Sequence, residues 1–430
     1  MASDDTLLII GAGPMGLAAA YFAAKAGRRV EVLEAGDRPG GMAAHFDFNG
    51  LSLERFYHFC CRSDADTEAL LAELGLPPIR WAPTKMGFYV DGKLHPWGDP
   101  IALLRFPGMS FVQKVRYGLL AFTSTKRSDW RRLEQISAAD WFRAWCGREV
   151  YDKLWRPLFD LKFYEYAEQI SAAWVWQRIK RVGRSRRSLF QEELGYIEGG
   201  SEALVAALVA AIERLGGKVH LSTPARRLLI ADGKVLGAET PDGRRFEADK
   251  VISTVAMPYA AAMLEDHPEL AARYAGFANV GVVCVVHQLA RSVSPYFWVN
   301  MSDPAIDAPG FVEFSNLRPL DRHIVYVPYY MPTTNPAFGR PDEAFIDESF
   351  AHLQRVNPAL KAGDRIASHV ARLKYAQPVC ETGFAARIPD AQTPIAGLQI
   401  ADTCFYYPED RGVSESIGFA RRMVESLSRA

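Results

Sequence analysis

An α/β fold in two domains is what the chain predicts, on three observations. Its 430 residues exceed what a single hydrophobic core usually organises. A hydrophobic content of 49% beside 23% charged residues is that of a folded globular protein. The opening residues read as strand, glycine turn, helix and strand, the start of a parallel α/β unit.

Each part of that opening unit has a physical task. Leu7-Leu8-Ile9-Ile10 is a short apolar run, followed directly by Gly11-Ala12-Gly13-Pro14-Met15-Gly16. The Ala-rich segment Leu17 to Ala26 breaks at Gly27, and Val30-Glu31-Val32-Leu33 is a second apolar strand ending on Glu34. Gly11 permits a tight turn, Gly13 lets a pyrophosphate approach the backbone, and Gly16 lets helix and strand pack closely. The helix that starts at Pro14 and Met15 offers free N–H groups, from Met15 onward, and a positive dipole end to phosphates. Glu34 stands where a carboxylate accepts bonds from ribose hydroxyls. Flanking strands, helix and acid together make this a Rossmann-like dinucleotide-binding unit.

The next stretch, Glu34-Ala35-Gly36-Asp37-Arg38-Pro39-Gly40-Gly41-Met42, has the pattern E-x-x-x-R-x-G-G. It resembles the extension found in the flavin amine oxidase, protoporphyrinogen oxidase and phytoene desaturase superfamily. That resemblance implies FAD as cofactor, bound without a covalent link. It implies that Arg38 approaches the pyrophosphate or ribityl chain. It also implies that the backbone of Ala35, Gly40, Gly41 and Met42 lies against the cofactor.

Charge and cysteine usage narrow the class. Lys+Arg 50 and Asp+Glu 50 cancel, so no global field favours nucleic acid. The six cysteines have no C-x-x-C metal spacing and read as reduced thiols of a cytoplasmic protein, with no metal site. Acids at Asp4 and Asp5 argue against a signal peptide, and no apolar run reaches the ~18 residues of a spanning helix. The expectation is a soluble protein, or one lying peripherally on the inner membrane face.

Further along, Asn49-Gly50 between Phe46 and Glu54 signals a hairpin. Ser63 or Asp64 is the expected cap of a helix over Thr67–Leu74. The segment Phe56 to Asp64 resembles the His-bearing segment of UDP-galactopyranose mutases, which makes His58 a flavin-facing candidate. Residues from about Trp81 to Leu194 lack βαβ rhythm, with helix starts near Ser137, Arg148 and Ser171. Lys162-Phe163 and Ser171-Ala172-Ala173-Trp174 resemble a bacterial branch of FAD-dependent oxidoreductases in the same superfamily. Arg178 to Arg187 holds six basic residues and no acid. A solvated face, an anionic lipid surface and a substrate-phosphate clamp are its three readings.

A helix over Glu202–Leu215 and strands at Lys218–Leu221, Ala225–Ile230 and Ala248–Thr254 resemble the second pass of such chains through the FAD domain. There Ala225 would touch the adenine region. Val280–Leu289 and His323–Tyr330 read as sheet and Asp342–Val356 as helix, the walls of a substrate cavity. Tyr326, Tyr329, Tyr330, Tyr375 and Gln377 are candidate lining groups. Leu398–Thr403 is a strand bearing Asp402, followed by Gly412-Val413-Ser414 and an amphipathic helix. The superfamily ends alike, which implies that Asp402 faces the ribityl chain and that Val413 and Ser414 start a helix pointing at the flavin. The resemblance assigns residues 1–60, 195–257 and 390–430 to an FAD-binding domain, and 61–194 and 258–389 to a mixed α+β substrate domain.

The expected activity is hydride transfer to flavin N5 from a hydrophobic, amine or ring-bearing small molecule. His58, Lys162, Tyr330, Tyr375 and Gln377 are the candidate catalytic side chains. A redox-neutral flavin-dependent nucleotide-sugar mutase and a non-catalytic FAD-binding protein are the alternatives. Arg105, Lys114 and Arg116 punctuate the apolar stretch Ile101–Phe122, which resembles an interfacial segment more than a spanning one. Peripheral contact with an anionic membrane is expected from it.

Overall fold

The structure, a computed structural model, describes residues 5–427. The opening unit forms as its pattern predicts, with β1 (Thr6–Ile10), α1 (Pro14–Lys25) and β2 (Arg29–Leu33). These strands belong to a five-stranded parallel sheet ordered Lys218–His220, β2, β1, Lys250–Ser253 and Leu398–Ile400. Leu7 and Ile9 enter one core and Leu8 and Ile10 another, none more than 3% exposed. A strand buried on both faces reads as a continuous apolar run, which is why the alternation is invisible in the sequence.

One face of the sheet carries α1, flanked by helices Ser201–Arg214 and Val413–Leu427. Every residue of α1 from Met15 to Ala24 is buried. Its alanines let it sit between the sheet and two helices at once. A Cβ at Gly16 would stand 1.9 Å from the Gly11 carbonyl oxygen, so only glycine lets α1 approach the turn. The other face is covered by a small antiparallel sheet of Arg227–Ala231, Lys234–Glu239 and Arg245–Glu247.

The second body is a seven-stranded sheet in the order Arg365–Pro378, Asn279–Leu289, His323–Pro332, Gly310–Glu313, Trp298–Met301, Met86–Val90 and Lys93–Trp97. All its pairings are antiparallel except that of Trp298–Met301 with Met86–Val90. Its side chains alternate between two cores. Val282, Cys284, Tyr326 and Tyr330 lie on one side. Val283, Val325, Val327 and Tyr329 lie on the other, against helix Asp342–Val356. This corrects the expectation that Tyr326, Tyr329 and Tyr330 all line one cavity, since of these three only Tyr330 does. Tyr329 packs 5.2 Å from the Phe345 ring, because successive strand residues point to opposite faces.

Residues 100–184 form a helical layer. Ser137 and Ser171 cap their helices as expected, accepting from Asp140 N at 3.0 Å and Ala173 N at 3.1 Å. Asn49 and Gly50 turn the hairpin with φ of 53° and 80°. Asp64 does precede helix Ala65–Glu73, yet its carboxylate does not cap it. Instead it accepts from Cys61 N at 3.0 Å and pairs with Arg181.

Candidate active site

A cavity of about 720 Å³ runs from the β1–α1 turn to the seven-stranded sheet. Gly11, Gly13, Pro14 and Met15 line it where α1 begins. Gly13 is the N-cap residue and no side chain caps the first turn, so the helix presents its leading N–H groups to the cavity. A Cβ at Gly13 would meet no protein atom within 4 Å, unlike one at Gly16. At the tip of β2, Glu34 is fixed by two backbone donors, Ala12 N at 2.7 Å and Gly36 N at 2.8 Å, and still faces the cavity. Ala35, Gly41, Met42, Ala225, Asp402 and Val413 complete the wall among the expected cofactor residues.

Four expected cofactor residues stand elsewhere. Gly16 serves packing. Gly40, at φ +115°, donates its N–H to Ala12 O at 2.7 Å and ties the glycine pair to the first turn. Arg38 is exposed on the loop after β2 and is not among the lining groups. Ser414 turns away from the cavity and accepts from Thr67 N at 3.2 Å, stapling the C-terminal helix to Ala65–Glu73. Asp402, expected to face a ribityl chain, lines the cavity and is held in place by its own hydrogen bonds. One carboxylate oxygen accepts from Met257 N at 2.9 Å, the other from Cys404 N and Sγ. Burial raises its pKa despite those bonds.

At the other end His58, Tyr330 and Tyr375 line the cavity. His58 has an unpartnered buried Nδ1. Burial, offset in part by Glu54 and reinforced by Arg411 and His45, lowers its pKa to about 4 and leaves it neutral near pH 7. Lys162 and Gln377 do not reach the surface of the cavity. The Lys162 ammonium sits behind the wall, 4.8 Å from the Tyr330 ring centroid and 5.1 Å from that of Trp174. Burial and the charges of Arg178 and Arg411 hold its pKa well below the usual lysine range. Gln377 is buried within its strand and donates to Pro378 O.

Three groups the sequence did not single out help shape this end. Arg411, just before the C-terminal helix, donates to Ala376 O and, at 3.2 Å, to Tyr330 OH. Tyr57 stands edge-on to Trp298 and Tyr326. Glu54, buried in the cavity wall, accepts from Ser201 N at 3.1 Å, with His45 Nε2 at 3.6 Å. Burial alone would raise the Glu54 carboxyl, but His45 and the Ser201 N–H bring it down to about 2. Their common signal was proximity to a motif already recognised, next to His58 or to Gly412.

The basic run is also resolved. Arg178 pairs with Asp410, and Arg181 pairs with Asp64 at 2.7 Å, both bridges bordering the cavity. Arg184 donates to Thr125 O, and Arg186 to Gly98 O and Leu189 O. The run is mostly spent on internal partners rather than forming a solvated face, and Arg187 stays exposed.

A parallel sheet whose glycine turn opens into a chamber walled by a second sheet is the architecture of a dinucleotide-binding protein. The chain belongs to the flavin containing amine oxidoreductase family, whose model matches residues 16–401. Its cofactor is FAD. The chain is 25% identical over 296 residues to a phytoene desaturase of Cercospora nicotianae, covering 59% of this chain and 46% of that protein. It is 26% identical over 312 residues to the neurosporene-forming phytoene desaturase of Cereibacter sphaeroides, covering 62% and 56%. The chain thus spans about half the length of these curated relatives. Among solved structures, one described as a protoporphyrinogen oxidase from Exiguobacterium sp. 255-15 superposes with TM-score 0.77 at 21% identity, covering 100% of both chains. Reduced UDP-galactopyranose mutase gives 0.74 at 16%, covering 100% of this chain and 95% of its own. Cyclohexylamine oxidase from Brevibacterium oxydans IH-35A gives 0.74 at 16%, covering 99% and 100%. These likenesses establish the fold.

The residues present fit FAD. The open N-terminus of α1, the bare Cα of Gly13 and the fixed carboxylate of Glu34 are what a pyrophosphate and a ribose require.

Proposed function

We propose that this protein is an FAD-dependent oxidoreductase that oxidises or desaturates a neutral, apolar substrate, with the catalytic end of the cavity near His58, Tyr330 and Tyr375. The observation that carries this reading is the character of the walls around Tyr330. Tyr57, Trp298, Tyr330 and Tyr375 offer aromatic surface, while Arg411 sets its positive charge beside the Tyr330 ring. Aromatic walls suit an apolar substrate, and like charge disfavours a protonated amine. The mutase alternative needs several cations for a substrate diphosphate; Arg178 and Arg181 are paired with Asp410 and Asp64, which leaves Arg411 to meet it alone at this end.

Bound FAD supplies the hydride-accepting chemistry. The chain's own side chains hold the substrate and handle the proton. Arg411 fixes the Tyr330 hydroxyl and so the angle of the ring against which a substrate lies. Neutral His58, a lining residue, is the group we assign to accept the proton released as the substrate is oxidised. Tyr57 closes the wall from the side.

Anaerobic bleaching of the protein-bound flavin tests the reading. A neutral isoprenoid hydrocarbon should bleach it, and primary amines should not. Bleaching by amines alone, or turnover of UDP-galactopyranose only after dithionite reduction, overturns the proposal. The flavin should also leave the protein on acid precipitation, since Cys380 and Cys404 are buried outside the lining, Cys404 bonded to Asp402.

A further inference from the structure

Helix Phe111–Lys126 is firmly built, yet its outer face is apolar. Ser110 and Gln113 form a reciprocal capping box at its start. Leu120 and Ser124 are buried on its inner side, and Trp176 donates to Ser124 O at 3.1 Å from helix Ala172–Arg184. On its outer side Phe111, Val115, Leu119 and Phe122 follow the i, i+4, i+8, i+11 spacing of one face, with Val112 beside them. Phe111 is 71% exposed and Val112 64%.

Two neighbours extend this face. The short helix Pro100–Arg105 exposes Ile101 and Leu104, and Lys114 Nζ donates to Leu104 O at 2.7 Å, joining the two helices. The turn at Leu189 and Phe190 exposes both side chains. Arg186 ties it to Gly98 O at 3.0 Å, two residues before that short helix. These segments hold nine of the fifteen exposed large apolar side chains among the described residues. Such concentration marks an interaction surface, whereas the other six are scattered.

Charge selects the occupant. Between Asp99 and Asp129 there is no carboxylate, while Arg105, Lys114, Arg116, Lys126 and Arg127 fall in that span. Arg105, Lys126 and Arg127 are exposed and carry no ion pair among the described residues. A second copy docked about a twofold axis would bring the same cations against one another. A nucleic acid would leave the phenylalanines and leucines without a partner. Nor can the segment cross a bilayer: a sixteen-residue helix is about 24 Å long against a hydrocarbon core of about 30 Å. No described helix is long and apolar enough to do so.

We infer that Pro100–Lys126 and the Leu189–Phe190 turn form a platform that seats this protein on an anionic lipid bilayer. The apolar side chains enter the headgroup boundary and Arg105, Lys126 and Arg127 contact lipid phosphates at its rim. The inference stands apart from the substrate proposed above. It also moves the lipid-facing charge from Arg178 and Arg181, which face inward, to the cations of the platform.

The test is co-sedimentation of the FAD-loaded protein with phosphatidylcholine vesicles containing increasing phosphatidylglycerol. The wild type should pellet increasingly with the anionic fraction and be released by high salt. A triple variant, Phe111→Glu with Val115→Glu and Leu119→Glu, should stay in the supernatant with its FAD content and melting temperature kept, as all three positions are exposed. Replacing Arg105, Lys126 and Arg127 by Gln should lower partitioning roughly a hundredfold, about fivefold for each cation. Wild type that fails to pellet at low salt, or a triple variant that pellets equally, overturns the inference. Concentration-dependent dimers lost in the triple variant would instead assign the face to a second copy.

Discussion

Replacing Gly13 by valine tests the cofactor cradle while sparing the fold. The Gly13 backbone, at φ −72° and ψ 175°, is extended and open to any residue. A Cβ there meets no protein atom within 4 Å, so the side chain projects into the cavity instead of into a neighbour. The apoprotein should keep its stability, or gain up to about 1 kcal/mol from a less flexible unfolded chain. FAD should lose the close approach of its phosphates to the α1 N-terminus. Two charge-assisted N–H bonds at roughly 1.5–3 kcal/mol each amount to about 3–6 kcal/mol, an affinity loss on the order of 10² to 10⁴. The assay is bound FAD per chain after gel filtration, with thermal unfolding of the apoprotein alongside. Gly16→Ala is the contrast, because its Cβ would stand 1.9 Å from a backbone oxygen and should abolish soluble protein. A Gly13→Val protein with full FAD occupancy, or one that cannot fold, refutes the reasoning.

Three other outcomes follow from the site and its surroundings. His58→Ala should slow anaerobic flavin reduction by about 10² or more while FAD content is kept, and an unchanged rate would leave His58 without a role in proton transfer. Arg181→Met should cost about 3–5 kcal/mol in chemical unfolding, because Asp64, 5% exposed, loses its buried partner; a loss within error would show the bridge to be dispensable. His287, fully buried between Ser349 and Ser368, has its pKa lowered to about 3, chiefly by burial. The unfolded chain takes up this proton near pH 6.5 and the folded one only near pH 3. Its contribution is therefore complete above pH 6.5 and is lost as pH falls towards 3, at up to about 1.4 kcal/mol per pH unit. His287→Gln should flatten the stability curve between pH 6 and 4 by about that slope, and an unchanged slope would count against the burial argument.

What could be read from the sequence was what local chemistry encodes. The β1–α1–β2 unit, the Asn49-Gly50 hairpin, the caps at Ser137 and Ser171 and the helix Asp342–Val356 each depend on residues close together in the chain. Direction and pairing were harder. Tyr329 and Tyr330 are adjacent, yet only the register of the sheet decides which one meets the cavity. None of the three readings of the basic run paired Arg181 with an acid, because Asp64 lies 117 residues away. Arg411 and Tyr330 are 81 residues apart, and no periodicity announces their contact. Within the glycine motifs, Gly13 and Gly16 differ only in what surrounds them, a difference that belongs to packing and not to composition.

The order of strands in the parallel sheet also imposes an order in time. Leu398–Ile400 completes a sheet begun by Thr6–Ile10, and the helix from Val413 closes beside it, about 390 residues later. At roughly 5–20 residues per second a ribosome needs about 20–80 s to travel that distance. Until that interval ends, Lys250–Ser253 has no outer neighbour, and Asp402 and Val413 have not yet emerged to complete the cavity wall. A nascent chain therefore carries an unfinished cradle for most of its synthesis, and firm capture of FAD becomes a late event that reports the arrival of the last strand and helix.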